Sequence, residues 1–293
     1  MSEGGRHGYL SGMKFAIHRR AALVAAVFFP CLVPLGAEAR FWVGVGSLSI
    51  MEKVEHTGPH RYQGFLFSSE LGAEGRGGKT EWGTCLSFDI GELSRATEDN
   101  KLYTEWLDQE TGSVEGSFSS TNHPLRIKGR WDGTLSYPLP LSGGLNVALG
   151  GNLAYRFDIG IFRDYPVFAT ALDFGPAIQA GIGLPGASTL GLSLSAPLVS
   201  LLNEPPYTGT SGWIIEHITS DPSAIILTGK PASCANRPLV AFTTALFVPL
   251  GAGFYARPSI DVECFALGKR KTWSSLSARA LVAIAYSTGE VSR

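Results

Sequence analysis

Apolar and polar residues alternate with a period of two along much of this chain, and that pattern predicts strands rather than helices. Over Leu125–Tyr137, Leu125, Ile127, Trp131, Leu135 and Tyr137 share one face, while Arg126, Lys128, Arg130, Asp132, Thr134 and Ser136 share the other. Leu145–Phe157 sets Leu145, Val147, Leu149, Leu153, Tyr155 and Phe157 against Asn146, Asn152 and Arg156. Phe254–Ala266 sets Pro258, Ile260, Val262 and Cys264 against Arg257, Ser259, Asp261 and Glu263. The last strand opposes Leu276, Ala278, Ala280, Val282, Ile284 and Tyr286 to Ser275, Ser277 and Arg279. A soluble sandwich also alternates, but its polar face meets water. Here the polar faces mix both signs of charge with Gly and Ser, and the apolar faces are long, with aromatics near their ends. Lipid outside, a polar lumen inside and aromatic girdles at the interfaces give that pattern. The fold class read from it is an all-β, transmembrane, antiparallel up-and-down barrel, whose closure leaves no unpaired backbone group facing hydrocarbon.

Connection lengths supply the strand count. Short turns are expected at Gly72–Lys79, Leu139–Gly143, Gly183–Ala187 and Pro249–Gly253. Between them lie Glu52–Pro59, Leu93–His123, Ile159–Asp164, Ser200–Asn236 and Leu267–Lys271. Short turns at alternate connections are expected on the periplasmic side, with the longer segments outside. The bookkeeping gives ten strands, or twelve if a long segment hides another wall hairpin. The uncharged run Phe174–Asn203 resembles a membrane helix by hydropathy. Pro176, Pro185 and Pro197 would break helical hydrogen bonds, so two strands joined at Leu184-Pro185-Gly186 are expected instead.

The first 39 residues read differently. Lys14, Arg19 and Arg20 form a positive region, Ala21–Val33 an apolar stretch too short to span a bilayer, and Ala37-Glu38-Ala39 a small-x-small cleavage pattern. Residues 1–39 are therefore expected to be a signal peptide, with Met13 the more natural start, and residues 40–293 the barrel. A lipoprotein anchor on Cys31 fits less well, because Pro30 stands where a small residue belongs. The formal net charge of −1 offers no basic surface for nucleic acid. Cys85, Cys234 and Cys264 are too few and too scattered for a disulfide framework.

The long segments carry the candidate chemistry. Leu93–His123 holds Glu98, Asp99, Glu105, Asp108, Glu110 and Glu115 against only Arg95 and Lys101, an acidic rim suited to basic peptides. The plain alternative is a solvated loop. His56 and His60 flank Gly58-Pro59, but no third ligand is evident, so neither a metal nor another cofactor is expected. His217 follows Glu216 in the second long segment and is the better acid–base candidate, since imidazole titrates near neutral pH.

Several short motifs resemble one family. Val43-Gly44-Val45-Gly46-Ser47-Leu48-Ser49, followed by Glu52, looks like the first strand of the omptins, outer-membrane endopeptidases. Glu105-Trp106-Leu107-Asp108 resembles their acid-Trp-Met-Asp block, Asn122-His123-Pro124 their His-Pro, and Ile127-Lys128-Gly129 the strand that follows. Ser211-Gly212-Trp213 with Glu216-His217 resembles the segment that carries their catalytic Asp-x-His. The resemblance implies a ten-stranded barrel that cleaves basic peptides with an activated water. Glu105, Asp108 and His217 would be its catalytic residues, and outer-membrane lipid and lipopolysaccharide its surroundings. Two departures oppose that activity: Tyr103 and Ile215 stand where the family has aspartates. A surface barrel without catalysis, an adhesin or lipopolysaccharide-associated structural protein, is the alternative. In a third class, a small channel, Arg126, Lys128, Arg130, Arg156, Asp261, Glu263 and Arg279 would fill the lumen with ion pairs.

Overall fold

The computed structural model describes residues 38–54, 61–95, 101–107, 114–121, 123–141, 144–162, 165–203, 229–267 and 273–288. Its wall begins with β1 (Glu38–Val54), β2 (Arg61–Gly77) and β3 (Thr80–Arg95). A separate hairpin, β4 (Lys101–Leu107) and β5 (Val114–Thr121), follows. The wall resumes with β6 (Leu125–Leu139), β7 (Leu145–Phe162) and β8 (Tyr165–Gly183). Two interrupted strands come next: β9 (Thr189–Ser195) with β10 (Val199–Asn203), then β11 (Lys230–Ser233) with β12 (Leu239–Gly251). The chain closes through β13 (Phe254–Leu267) and β14 (Trp273–Ser287), which pairs with β1. Counting each interrupted strand once, ten antiparallel positions form a closed barrel, as the turn lengths predict.

The long segment after β3 does hold a hairpin. However, β4 and β5 pair only with each other, in a sheet of their own, so the wall stays at ten. The expected tight turns all lie at one end. Gly78-Lys79 is narrower than the Gly72–Lys79 expected, because β2 runs on to Gly77 and Gly78 supplies a positive φ. At the other end the β7–β8 connection shrinks from Ile159–Asp164 to residues 163–164. Leu184–Ser188 joins β8 to β9 through a short 3-10 turn at Pro185–Ala187, confirming two strands across the uncharged run.

Burial follows the alternation. On β14, Ser275, Ser277, Arg279, Leu281, Ala283 and Ala285 point inward and are buried, while Leu276, Val282, Ile284 and Tyr286 are exposed. On β13 Ile260 and Cys264 face out, while Arg257 and Ser259 are buried. The exposed apolar belt passes right round the wall, including Phe65, Phe88, Leu149, Phe174 and Phe242. A water-soluble domain does not expose such a continuous apolar surface. Hydrocarbon on this face is the physical solvent it matches. Trp131 keeps its indole N–H satisfied on that face by donating to Thr84 Oγ1 at 3.0 Å. Aromatics stand near the strand ends, at Phe41, Tyr137, Phe254 and Tyr286, and also well inside the belt, at Phe67, Phe88 and Phe174.

The interruptions in the wall have register causes. From Ser195, opposite Ala177, to Ser200, opposite Asp173, β9–β10 spends one residue more than β8. That bulge lies at Ala196–Leu198, around Pro197, and shifts the inward parity from odd to even positions. Gly175 on β8 accommodates it, because a Cβ there would lie 2.3 Å from the Ala196 carbonyl oxygen. On the other side, four extra residues separate the pairs Val199–Ser233 and Ser195–Ala241. They form the turn Cys234–Arg237, which delivers Arg237 into the lumen.

Candidate functional site: a charged lumen and its rim

Inward-facing charges stack in levels between the two ends of the barrel. Near the long-connection end, Arg126 is fully buried and donates to Glu52 at 2.9 Å and to Asp158 at 3.2 Å, with Lys128 at 3.6 Å from Asp158. At mid-height Arg156 bridges Glu263, at 3.0 Å, and Asp173. Arg130 reaches Glu263 at 3.1 Å and also pairs with Asp132. Asp173 further holds Arg237 and accepts from Ser200 at 2.6 Å. Across the lumen Arg279 pairs with Asp89 at 2.6 Å and lies 3.7 Å from Asp261. Toward the short-turn end Glu70 accepts from Trp42 at 2.6 Å and from Arg257 at 2.9 Å.

The sequence expected a polar lumen. Two apolar clusters correct that. Leu48, Ile50, Tyr62, Leu66, Leu93 and Ala169 pack together near the long-connection end, joined by Leu202 and Phe265. Trp42, Ala245, Phe247, Ala283 and Ala285 pack near the other end, with Cys85 and Tyr255 against them. Two arginines stitch the second cluster. Arg257 lies 4.4 Å from the Trp42 ring and 5.7 Å from Phe247, and Arg40 lies 4.9 Å from Phe247 and 5.5 Å from Tyr255. Such stacked guanidinium groups are held by ring quadrupoles as well as by carboxylates.

Between the clusters the structure leaves a cavity of about 80 Å³, lined by Asp89, Arg130, Arg156, Arg237, Asp261 and Glu263 among others. That is room for several water molecules. The charges of both signs neutralise one another and, with the two clusters, occupy most of the lumen among the described residues. The ion-pair filling was legible in the sequence for Arg126, Lys128, Arg130, Arg156, Asp261, Glu263 and Arg279. Glu70, Asp89, Asp173 and Arg237 were missed. The first three sit at inward parity on β2, β3 and β8, a signal that strand-by-strand reading would have caught. Arg237 lay one residue beyond the Ser200–Asn236 segment and was assigned to no face.

The residues nominated for chemistry are placed less fully. Glu105 falls in β4, at the register position opposite Ser117, and Tyr103 opposite Ser119. Both belong to the hairpin between β3 and β6, on the long-connection side of the wall. Asp108 and His217 lie outside the described residues, as do His56, His60, Ile215 and Glu216. His123 is exposed, and its neighbour Pro124 is buried, accepting from Leu93 N at 2.9 Å. Among the described residues no group of His, Cys, Asp and Glu is arranged to hold a metal.

No sequence-family model matches the chain, and no curated protein matches it by sequence. Among solved structures it is similar to the outer membrane protease OmpT from Escherichia coli, at 8% identity and a TM-score of 0.49, over 85% of this chain and 96% of that one. It is also similar to the translocator domain of autotransporter NalP from Neisseria meningitidis, at 9% identity and a TM-score of 0.40, over 95% and 97%. A third is the COG4313 outer membrane channel from Pseudomonas putida F1, at 8% identity and a TM-score of 0.41, over 87% and 96%. The chain has an outer-membrane β-barrel architecture, on its closure and its apolar belt.

Proposed function

We propose that this protein is a surface barrel of the bacterial outer membrane that engages basic peptides at its long-connection rim and conducts nothing through its lumen. The observation that carries this reading is the filled lumen, with charge-paired levels held between two apolar clusters. A barrel closed in this way has only its ends to work with, and the two longest connections, β3 to β6 and β10 to β11, lie at one end. That end is read as extracellular, because short turns are the periplasmic ones in this class. Its two longest segments are acidic in sequence: residues 93–123 as counted above, then Glu204, Glu216 and Asp221 between β10 and β11, while the short β13–β14 connection carries Lys269, Arg270 and Lys271. Cationic peptides are drawn to such a rim, and the attraction weakens with salt.

A second reading is hydrolysis of those peptides. It is favoured by the omptin-like block around Glu105, which falls on the hairpin that leaves the wall at this end. Glu105 and Asp108 would position a water, and His217 would accept its proton. Tyr103 and Ile215 count against it, since a histidine without a carboxylate partner loses its orientation and typically several powers of ten in rate.

One assay separates the two. Refolded protein with lipopolysaccharide is given a fluorogenic peptide carrying adjacent arginines, beside the variants Glu105→Gln and His217→Ala. Binding without cleavage in all three supports the platform reading. Cleavage that both substitutions reduce by several powers of ten establishes the protease. No binding at low salt would refute both.

A further inference from the structure

The four short turns are not alike. Three of them join strands that are neighbours round the wall: residues 140–144 between β6 and β7, 184–188 between β8 and β9, and 252–253 between β12 and β13. No Asp, Glu, Lys or Arg occurs between Asp132 and Arg156, between Asp173 and Glu204, or between Arg237 and Arg257. The short-turn halves of these hairpins are therefore uncharged on both faces. Leu141, Leu184 and Leu250 stand exposed at or beside their tips. The fourth turn, at residues 78–79 between β2 and β3, lies among Glu74, Arg76, Lys79 and Glu81. There Arg76 is 3.8 Å from Glu81, and Arg40 of β1 is 3.3 Å from Glu74.

The edge of the apolar belt follows the same division. On β2 and β3 the exposed large apolar residues end at Leu71 and Leu86, register partners that stand well back from the turn. Along the uncharged hairpins they run on to the tips themselves. Tyr137 and Leu139 lead to Leu141, Leu145 follows it, and Leu250 is succeeded by Phe254. A belt whose edge is oblique to the end of the barrel belongs to a barrel inclined to its bilayer. Backbone chemistry agrees. Ala187 and Ala252 hold φ of 61° and 51° in two of these turns, a region in which Asn and Asp are enriched among residues other than glycine. Alanine forgoes the polar side chain that such a position usually offers to water. Backbone hydrogen bonds also close at or beside the tips, from Leu141 N to Leu139 O, Leu184 N to Ser188 O and Ser287 N to Gly253 O, each at 2.9 Å. Groups bonded in this way tolerate the loss of water.

We propose that the barrel leans in the bilayer and sinks the β6–β7, β8–β9 and β12–β13 turns beneath the phospholipid headgroups of the leaflet at the short-turn end. The β2–β3 turn stays at headgroup level, where its charges meet water. Acyl chains are the occupant because the three tips continue the lipid-facing belt without a break. The lean is independent of what the opposite rim binds.

The test is the depth of each turn in the full chain refolded into phospholipid vesicles. With Cys85, Cys234 and Cys264 replaced, single cysteines at Leu141, Leu184, Leu250 and Lys79 carry an environment-sensitive fluorophore. At the three leucine positions the emission should shift to the blue and be quenched by lipids brominated near the headgroup end of their acyl chains. Iodide in the water should leave it unchanged there and quench the label at Lys79. Leu141→Asp with Leu184→Asp should make the label at Leu250 accessible to iodide, with folding confirmed by heat-modifiable mobility on gels. Iodide quenching at the three tips equal to that at Lys79 overturns the proposal. Shielding from iodide without quenching by brominated lipid also overturns it, since another copy of the protein would then cover the turns. Immersion of all four labels alike, or an unchanged label at Leu250 in the folded aspartate variant, rules out the lean.

Discussion

At the scale of single residues, the wall sorts side chains by parity, and substitutions on its two faces should fail for different reasons. Ile260 faces hydrocarbon, half exposed on the outside of β13. Ile260→Arg should cost about 2–4 kcal/mol if the site lies near the bilayer midplane, read from urea unfolding in vesicles. Arginine tolerated equally at Ile260 and at inward Ser259 would reverse the assignment of faces. Inside, Arg126 is fully buried between Glu52 and Asp158. Arg126→Met leaves two carboxylates without their main partner and should cost about 3–5 kcal/mol in the same assay. A change within error would mean that water reaches the pair. Packing is equally specific at Gly72, where a Cβ would lie 2.1 Å from the Trp42 ring. Gly72→Ala must therefore push the indole off Glu70 and Arg257, and Trp fluorescence should report the shift. The opposite faces of Ile260 and Ser259 and the inward charge of Arg126 were legible in the sequence, while the contact of Gly72 with Trp42 was not. Alternation shows which positions share a face, but on β1 both faces are largely apolar. Inward Leu48 and Ile50 oppose outward Ser47 and Ser49, the reverse of the usual assignment.

At the scale of elements, turn chemistry and strand length carried most of the prediction. Two-residue hairpin loops need positive φ, which glycine supplies at Gly78 and Gly253. Ala252 takes the same region with φ 51°, against the ordinary preference of an L-residue. Ala252→Gly should thus stabilise the barrel by roughly 1 kcal/mol, and destabilisation would show that its methyl group packs usefully. The turns were readable because Gly, Pro and short spacing leave few alternatives. The bulge at Ala196–Leu198 and the turn Cys234–Arg237 were not, because both depend on register with neighbouring strands rather than on local sequence. Pro197 looked like punctuation, and Arg237 stood just past the segment read as a connection. The end assignment is also an element-scale claim. With native cysteines replaced, a cysteine at Gly186 should resist a membrane-impermeant maleimide on intact cells, whereas one at His123 should react. The opposite result would invert the barrel.

For the whole molecule, ten strands make a barrel narrow enough for side chains to fill, and here they do. The sequence foresaw the ion pairs, since charges on inward faces have only each other for partners. It did not foresee the two apolar clusters, because they bring together β1, β2, β3, β8, β10 and β13 at one level and β1, β3, β12, β13 and β14 at another. The acidity of the two longest rim segments follows from composition alone, while the relation of Glu105 to His217 depends on residues outside those described. The filled lumen is what separates a surface platform from a channel, and it is measured directly by conductance. Purified protein inserted into a planar bilayer should give no stable ionic current under an applied voltage. Arg257→Ala with Trp42→Ala, which dismantles the short-turn cluster, should add at most brief openings. A steady ohmic conductance of the unmodified barrel would contradict the sealed lumen, and with it the assignment of function to the rim.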